Sequence, residues 1–409
     1  MRALNPTARD LRRINRRTIL QAIHAENSIS RLELGQRTGL SIGTVTNVVA
    51  ELLLEGIVLE SGFEASEGGR RRAILTLNLQ YGYLLGGEIG ETDVIVELFD
   101  LTLKKIGEVR QSLEHGEPSQ VIEYVVSGVK SLLASSRIAP EKILGLGLGV
   151  PGIIEYTESG EVAAPAWNWA PVPLKAMLRE HFAFPLHVEN GSKMMAVAEM
   201  WSRSGPPPEN MAVVNIGTGV SVGIISQGKL YRGATNSAGE WGHTVVVLDG
   251  RPCRCGRRGC LEAYIGAPGI IQRLREIDHD SPFLQPGDEI QTLSLLIAAD
   301  RQGNDLARQI MRETFRYLGA GIANLVNLFN PQRIVLGGWL GLLIGEYMLP
   351  ELQQIIAQYS LPQPLKAAHL VISQLKRDSV SMGAASLVLE NFFVNVGALN
   401  ISTWPTPTQ

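Results

Sequence analysis

The chain contains very little cysteine, three residues among 409. An odd count leaves one thiol unpaired, which argues against the disulfide framework of a small secreted protein. Long apolar runs are also absent, because the longest nearly apolar stretch, residues 143–154, is too short and too rich in glycine to span a bilayer. The arginine-rich start is unlike a secretory signal. We therefore expect a cytoplasmic protein with no membrane partner.

Charge is scarce and unevenly placed along the chain. Only 19% of the residues are charged and 45% are hydrophobic, as in globular proteins, and the length is too great for one core. Residues 1–78 hold eleven arginines and eight acidic residues, a net +3 in a chain of net −3. A basic end on an acidic body suggests a segment that binds nucleic acid, although the arginines could equally be a solvated helix face.

Helix signals in the basic end have the spacing of a helix-turn-helix. Apolar residues at helical intervals predict a first helix over residues 11–23. Capping residues and a glycine turn then predict helices over 31–38 and 42–55. Strand-like residues 57–60 and 73–77 flank an arginine-rich turn and resemble the wing of a winged helix. A helical protein-interaction module with a charged loop is the alternative.

Exposed polar residues of this segment are candidate DNA contacts. Short polar side chains at the start of the third helix suit base edges and phosphates, and arginines suit the sugar-phosphate backbone. The candidates are Ser41, Thr44, Thr46 and Asn47 in the third helix, Arg16 and Arg17 in the first helix, and Arg70, Arg71 and Arg72 at the wing tip.

From residue 79 onward, strands alternate with helices, which indicates an α/β fold. Strand–glycine-turn–strand units recur over residues 83–100 and 211–228 and suggest two similar halves. Glycine turns allow backbone amides to approach a phosphate, but glycine hairpins without a ligand are commoner. The strand that ends in Glu189, Asn190 and Gly191 places polar groups where open α/β sheets bind ligands.

The three cysteines fall within eight positions, and His243 precedes the first of them by ten residues. Cys253, Cys255, Cys260 and His243 are a tetrahedral zinc set, and the glycines among them let a short loop fold back on itself. Four protein ligands leave no open position, so the expected Zn²⁺ is structural. Unligated thiols, or one disulfide with a leftover thiol, are the alternatives.

Over about residues 10–395 the sequence resembles the ROK family, named for repressors, open reading frames and kinases. The most specific shared feature joins residues 239–243 (GEWGH) to the cysteine cluster and to residues 260–262 (CLE). The predicted winged helix and the glycine turn at 217–219 agree with it. The resemblance implies an N-terminal winged helix-turn-helix followed by a two-lobed, actin-like (ribonuclease H-like) sugar-kinase fold.

The resemblance also implies a division of the chain and a sugar site between the lobes. The implied division is a DNA-binding domain over 1–78, a first lobe over 79–188 plus 379–398, a second lobe over 189–378 and a tail over 399–409. The implied sugar contacts are Asn190, Glu240, His243 and Glu262, with Asn168 standing in for an asparagine of the relatives. Zinc would hold the loop that carries these contacts, and Glu240 and Glu262 could instead only support that loop.

Two departures from the family's kinases argue against phosphoryl transfer. Where those kinases have a catalytic aspartate after the asparagine of the strand end, this chain has Gly191, which cannot accept a proton. Their first phosphate turn reads Asp-x-Gly-Gly-Thr, whereas residues 88–92 read EIGET, so Glu91 would face nucleotide phosphates.

We therefore predict a repressor of carbohydrate-utilisation genes that is not an enzyme. It would bind double-stranded operator DNA as a homodimer or homotetramer and respond to a sugar. An ATP-dependent sugar kinase with a regulatory DNA-binding head is the alternative, and binding of a partner protein in place of a sugar is a third possibility.

Overall fold

The computed structural model describes residues 7–63, 71–113, 116–155, 160–164, 169–202 and 208–395. Its helices are α1 (Ala8–Glu26), α2 (Arg31–Thr38), α3 (Ile42–Leu54), α4 (Pro118–Ser136), α5 (Leu174–Arg179), α6 (Gly191–Trp201), α7 (Glu262–Ile265), α8 (Ala267–Ile277), α9 (Glu289–Arg301), α10 (Asp305–Phe329), α11 (Trp339–Tyr359), α12 (Pro362–Ala367) and α13 (Ser379–Val394). Among these described residues, no helix is both long and apolar enough to cross a membrane.

The strands fall into four sheets. They are β1 (Ile29–Ser30), β2 (Val58–Phe63), β3 (Ala73–Leu77), β4 (Tyr83–Ile89), β5 (Asp93–Phe99), β6 (Lys105–Ser112), β7 (Ile143–Val150), β8 (Ile153–Ile154), β9 (Val162–Ala164), β10 (Trp169–Val172), β11 (Leu186–Asn190), β12 (Met211–Ile216), β13 (Val220–Ser226), β14 (Lys229–Leu230), β15 (Arg333–Gly337) and β16 (His369–Ile372).

The first three helices and the small sheet β1-β3-β2 form a winged helix, which confirms the predicted head. Ser30 and Glu33 make the predicted capping box at the start of α2. Gly39 then takes a left-handed conformation with a φ of 71°, which lets the chain turn into α3 at low cost. The Ser41 hydroxyl caps α3 by accepting from the Thr44 amide over 3.2 Å.

The body contains two five-stranded sheets with the same strand order, which confirms the two-lobed fold. The orders are β6-β5-β4-β7-β11 in the first lobe and β14-β13-β12-β15-β16 in the second. In each sheet three antiparallel strands continue into two parallel ones. Strand β11 runs to Asn190, so the first sheet crosses the boundary predicted after residue 188. The division into domains otherwise stays a prediction.

Helix α13 returns to the first lobe and packs against β4, β7 and α6. Glycine makes this close approach possible, because a Cβ on Gly86 would lie 2.0 Å from the Ser381 carbonyl oxygen and one on Gly147 would lie 2.1 Å from that of Ala384. The far end of α13 packs against α1 and enters a hydrophobic core shared with the head, which contains both Phe393 and Leu20. One helix therefore contacts both the body and the head.

Candidate functional site

The four predicted metal ligands lie together in the second lobe. His243 Nδ1 and the three cysteine Sγ atoms are all within 4.8 Å of one another. His243 Nδ1 is 3.7 Å from Cys253 Sγ, and Cys255 Sγ is 3.8 Å from Cys260 Sγ. That sulfur separation is far longer than a disulfide bond of about 2.05 Å, and all three cysteines are free. The group could hold a metal ion.

Glycines and a buried tryptophan fix the loop that carries these ligands. A Cβ on Gly242 would lie 2.1 Å from the carbonyl oxygen of Val220, so only glycine lets the loop approach β13 this closely. Gly259 has a φ of 76° and the same requirement, with 1.8 Å to the carbonyl oxygen of Val247. The buried Trp241 donates its indole N–H to the Gly321 carbonyl of α10 over 3.1 Å. The loop is thereby held against both a strand and a helix.

The predicted sugar carboxylates flank the metal ligands. Glu240 Oε2 lies 3.9 Å from His243 Nε2, the ring nitrogen on the opposite side from the cysteines. Burial raises the pKa of Glu240, while His243 and Lys193 act to lower it. Glu262 is buried and already bonded, because its Oε2 accepts from the Val220 amide over 2.9 Å. Glu240 therefore has more free acceptor capacity than Glu262.

Asn190 has a structural bond network as well as its predicted ligand role. It caps α6, its Oδ1 accepting from the amides of Ser192 and Lys193 over 3.0 and 3.4 Å. Its Nδ2 donates to the Gly152 carbonyl over 2.9 Å, which uses one of two hydrogens. Gly191 follows as the first residue of α6. Asn168 lies outside the described residues.

A buried polar network lies beside Asn190, and its partners could not be predicted from the sequence. Glu189, 1% exposed, accepts from Arg232 Nε over 3.2 Å and from Asn236 Nδ2 over 3.0 Å. The buried Lys193 donates to the backbone and side-chain oxygens of Asn236, and burial lowers its pKa. Glu189 belongs to the first lobe, whereas Arg232 and Asn236 follow β14 in the second. The sequence signal was the placement of Glu189 at the carboxyl end of a strand, and its partners Arg232 and Asn236 lie 43 and 47 residues further along the chain.

The candidate DNA contacts in α3 lie at the surface. Ser41, Thr46 and Asn47 are exposed and Thr44 is partly buried. In the wing, Arg71 and Arg72 are exposed, whereas Arg70 lies outside the described residues. The DNA-binding role of these residues stays a prediction.

The predicted DNA contact of Arg16 needs correction. This residue is 3% exposed, and its guanidinium forms ion pairs with Glu51, over 2.9 Å, and with Glu55. Glu51 lies in α3 and Glu55 caps its C-terminal end, so Arg16 connects α1 to α3 inside the head. Arg17 pairs over 2.8 Å with Glu390 of α13 and keeps 40% of its side chain exposed.

Aromatic contacts join the head to the body where α6 and α13 end. The ring of Trp201, the last residue of α6, meets the ring of His24 of α1 edge-on at a centroid distance of 5.0 Å. Phe393 of α13 lies 6.2 Å from both rings. Helix α6 is therefore capped by Asn190 at its start and packs against the head at its end.

Comparisons with known proteins agree with this architecture. A profile of the ROK family matches residues 84–391, and a profile for winged helix-turn-helix DNA-binding segments matches residues 12–58. The xylose repressor of Caldicellulosiruptor bescii is 30% identical over 93% of this chain and 96% of its own length.

Two solved structures share the fold. A ROK family transcriptional regulator, a homologue of the E. coli MLC protein, superposes with a TM-score of 0.79 and 22% identity over 96% of this chain and 99% of its own. A ROK family glucokinase from Streptomyces griseus, in complex with glucose and AMPPNP, superposes with a TM-score of 0.65 and 26% identity over 75% of this chain and 99% of its own.

Proposed function

Because the chain belongs to the ROK family, we propose that it is a transcriptional repressor of carbohydrate-utilisation genes whose operator binding changes when a sugar binds between the lobes. The observation that carries this proposal is helix α6. Its first turn is capped by Asn190, a sugar-contact candidate, and its last residue, Trp201, packs on His24 of the DNA-binding head. One rigid element therefore touches both the candidate effector site and the head.

The route from sugar to DNA is a small movement of a packed helix. A sugar that accepts the remaining Nδ2 hydrogen of Asn190 acts on the cap of α6. A helix of eleven residues spans about 16 Å, and its close packing against α13 lets both helices move together. A shift at the far ends of α6 and α13 changes the position of the head relative to the body. The protein binds the sugar more tightly in one head position than in the other. The difference between these two affinities sets how far the sugar can shift the equilibrium toward that position.

The sugar itself is held by groups from both lobes. Asn190 is supplied by the first lobe, and Glu240, His243 and Glu262 by the second, so a bound sugar draws the lobes together. Carboxylate oxygens and an imidazole nitrogen suit hydroxyl groups because they can accept hydrogen bonds at fixed positions. D-Xylose is the first sugar to test, since the relative from C. bescii is a xylose repressor.

We assign the metal group to a structural Zn²⁺. A tetrahedral site with zinc–sulfur bonds of about 2.3 Å has sulfur–sulfur edges of about 3.8 Å, and Cys255 and Cys260 have that separation. Zinc in this site would hold the loop folded, with no open position for a substrate. With Nδ1 directed to the metal, Nε2 of His243 is left for a sugar hydroxyl or for Glu240.

In this proposal the head reads DNA through α3. Ser41, Thr44, Thr46 and Asn47 would enter the major groove, and Arg71 and Arg72 of the wing would contact phosphates. A homodimer or homotetramer would present two heads to an operator with repeated half-sites. Movement of the heads would then mis-space them for those half-sites.

We propose no phosphoryl transfer, because among the described residues position 191, where the family's kinases carry their base, offers none. Gly191 supplies no side chain, and the neighbouring Glu189 is committed to Arg232, Asn236 and the Asn190 amide. Moving the Glu189 carboxylate toward a substrate would leave the buried Lys193 network incomplete.

Duplex selection followed by fluorescence anisotropy tests the proposed function. The full chain should select a repeated or palindromic sequence and bind it more weakly as salt rises. Asn47→Ala should weaken that binding by about tenfold, whereas Gln353→Ala, on the exposed side of α11, should not. Failure to select any duplex, or equal binding by both variants and the native chain, would count against the proposal.

A further inference from the structure

One arginine joins the two lobes at the glycine turns. Arg254 stands between two cysteines of the metal loop, in the second lobe. Its Nη1 donates to Glu91 Oε1 of the first lobe over 3.1 Å, and its Nε donates to Glu262 Oε1 over 3.0 Å. Glu91 lies in the turn between β4 and β5, so this ion pair spans the cleft.

The same guanidinium lies directly against the second glycine turn. A Cβ on Gly219 would be only 2.7 Å from Arg254 Nη2, so the guanidinium lies in close contact with this turn. Within that turn the Thr218 hydroxyl donates to Glu289 Oε2 over 2.8 Å. Both glycine turns are therefore bonded to groups of the chain itself.

The charges of this cluster oppose a nucleotide. Glu91 and Glu262 pair with the guanidinium, and Glu289 is bonded to Thr218 of the adjoining turn, so three carboxylates and one guanidinium give a formal net charge of −2. A phosphate entering between the turns would have to displace Arg254 from two carboxylates and then face them. The ion pair between Arg254 and Glu91 links the two lobes at their glycine turns. A nucleotide bound between the turns would make the same link.

We propose that Arg254 is an interlobe latch that takes the place of a nucleotide and holds the two glycine turns together. This inference goes beyond the proposed function, because it concerns closure of the lobes and would hold whether or not the chain binds DNA. Arg254 and Glu91 are positioning residues in this proposal. Glu262 connects them to the candidate sugar site, because it is bonded to Arg254.

Hydrogen exchange of the full, zinc-loaded chain tests the latch. In both Glu91→Gln and Arg254→Gln, amides of the two turns should exchange about fivefold faster, as expected for loss of a partly exposed ion pair. The double variant should show no further increase, because each single change already opens the same contact. Arg273→Gln is the matched control, since it removes an ion pair to Glu313 within the second lobe.

Glu91→Gln also protects the test against misfolding, because Glu91 lies outside the metal loop. Unchanged exchange in Glu91→Gln, or an equal rise in Arg273→Gln, would overturn the latch.

Nucleotide binding tests whether the latch stands in for a nucleotide. Glu91→Gly removes one carboxylate and frees Arg254 to reach a phosphate, so calorimetry should show at least about tenfold tighter binding of magnesium AMPPNP than in the native chain. Arg254→Gln leaves Glu91 and Glu262 without their cation and should show no gain. Equal affinity of Glu91→Gly and the native chain, or a gain in Arg254→Gln, would overturn this part of the inference.

Discussion

The two sides of the cleft differ in how their polar groups are satisfied. On the candidate sugar side, Glu240 and His243 Nε2 face each other across 3.9 Å, and the bond from Asn190 to Gly152 uses only one of its amide hydrogens. On the side of the glycine turns, Glu91 is bonded to Arg254 and Thr218 to Glu289. Polar groups with hydrogen-bonding capacity left over can bind a ligand. Groups that are already paired with one another leave no partner for a ligand.

This difference shows how one fold can separate recognition from chemistry. In our proposal the sugar-side groups bind hydroxyls, while the ion pair between Arg254 and Glu91 occupies the turns where a kinase would bind phosphate. A fold alone does not determine activity, and under our proposal the two halves of one cleft serve a sugar sensor.

The largest effect is expected from a substitution that removes a predicted metal ligand on the sugar side of the cleft. Cys260→Ser replaces a fully buried residue that is a ligand in our proposal, and the loop that carries Glu240, His243 and Glu262 should lose its fixed position. Zinc content should fall, and affinity for the responding sugar should drop by about 100-fold or more. Metal analysis and calorimetry with D-xylose, D-glucose and N-acetyl-D-glucosamine measure both. Ala263→Ser, a buried change on α7 that spares the ligands, is the control, and a full sugar response in Cys260→Ser would show that the metal is dispensable.

A second comparison removes one carboxylate from each side. Glu240→Gln should lower sugar affinity by about tenfold or more, as expected for loss of a charged hydrogen-bond acceptor. Glu289→Gln, which changes the partner of Thr218, should leave sugar affinity within about twofold. Calorimetry measures the sugar affinity of both variants. An equal loss of affinity in the two would mean that the two sides of the cleft are not functionally distinct.

A third prediction separates sugar binding from its effect on DNA. Trp201→Leu loosens the contact with His24, so the sugar should bind almost normally but change duplex affinity about fivefold less than in the native chain. Trp339→Leu is the matched control, a partly buried tryptophan of the second lobe beside Gly217. If Trp201→Leu kept the full effect of sugar on anisotropy, α6 would not be the route.

The smallest expected effect concerns pH and the first glycine turn. Burial, with help from Asp93, raises the pKa of Glu88 to about 8. Between the ordinary value of 4.5 and about 8 the unfolded chain is ionised while the folded carboxyl keeps its proton, so stability falls as pH rises through that window. Glu88→Gln should remove this fall and gain about 1 kcal/mol at pH 8, after allowance for partial exposure. Denaturant unfolding at pH 5 and pH 8 checks it, and an equal difference between variant and native chain at both pH values would contradict it.

Features set by neighbouring residues were predictable from the sequence. The capping box of Ser30 and Glu33 and the left-handed Gly39 are local, so the head followed from the sequence and is confirmed. The cysteine cluster is local too, since its sulfurs converge within one short loop. Strand–turn–strand units repeated in sequence corresponded to two sheets of the same order.

Features that depend on distant partners could not be predicted. The burial of Arg16 follows from Glu51 and Glu55, which reach it only when α3 packs on α1. Glu91 and Arg254 are 163 residues apart, and nothing in either local sequence indicates the pair. Glu91 was expected to repel phosphates, and its bond to Arg254 adds a second obstacle that the sequence did not indicate.

The central claim is that a sugar alone, without a nucleotide, changes DNA binding. The most direct measurement is fluorescence anisotropy of the full, zinc-loaded chain on its selected duplex during titration with D-xylose, D-glucose and N-acetyl-D-glucosamine, each with and without magnesium ATP. We predict that one sugar shifts duplex affinity by at least about tenfold, within the usual range of allosteric coupling, with the same midpoint whether ATP is present or absent and with no ADP formed. A shift that requires ATP, or steady release of ADP with that sugar, would contradict the account.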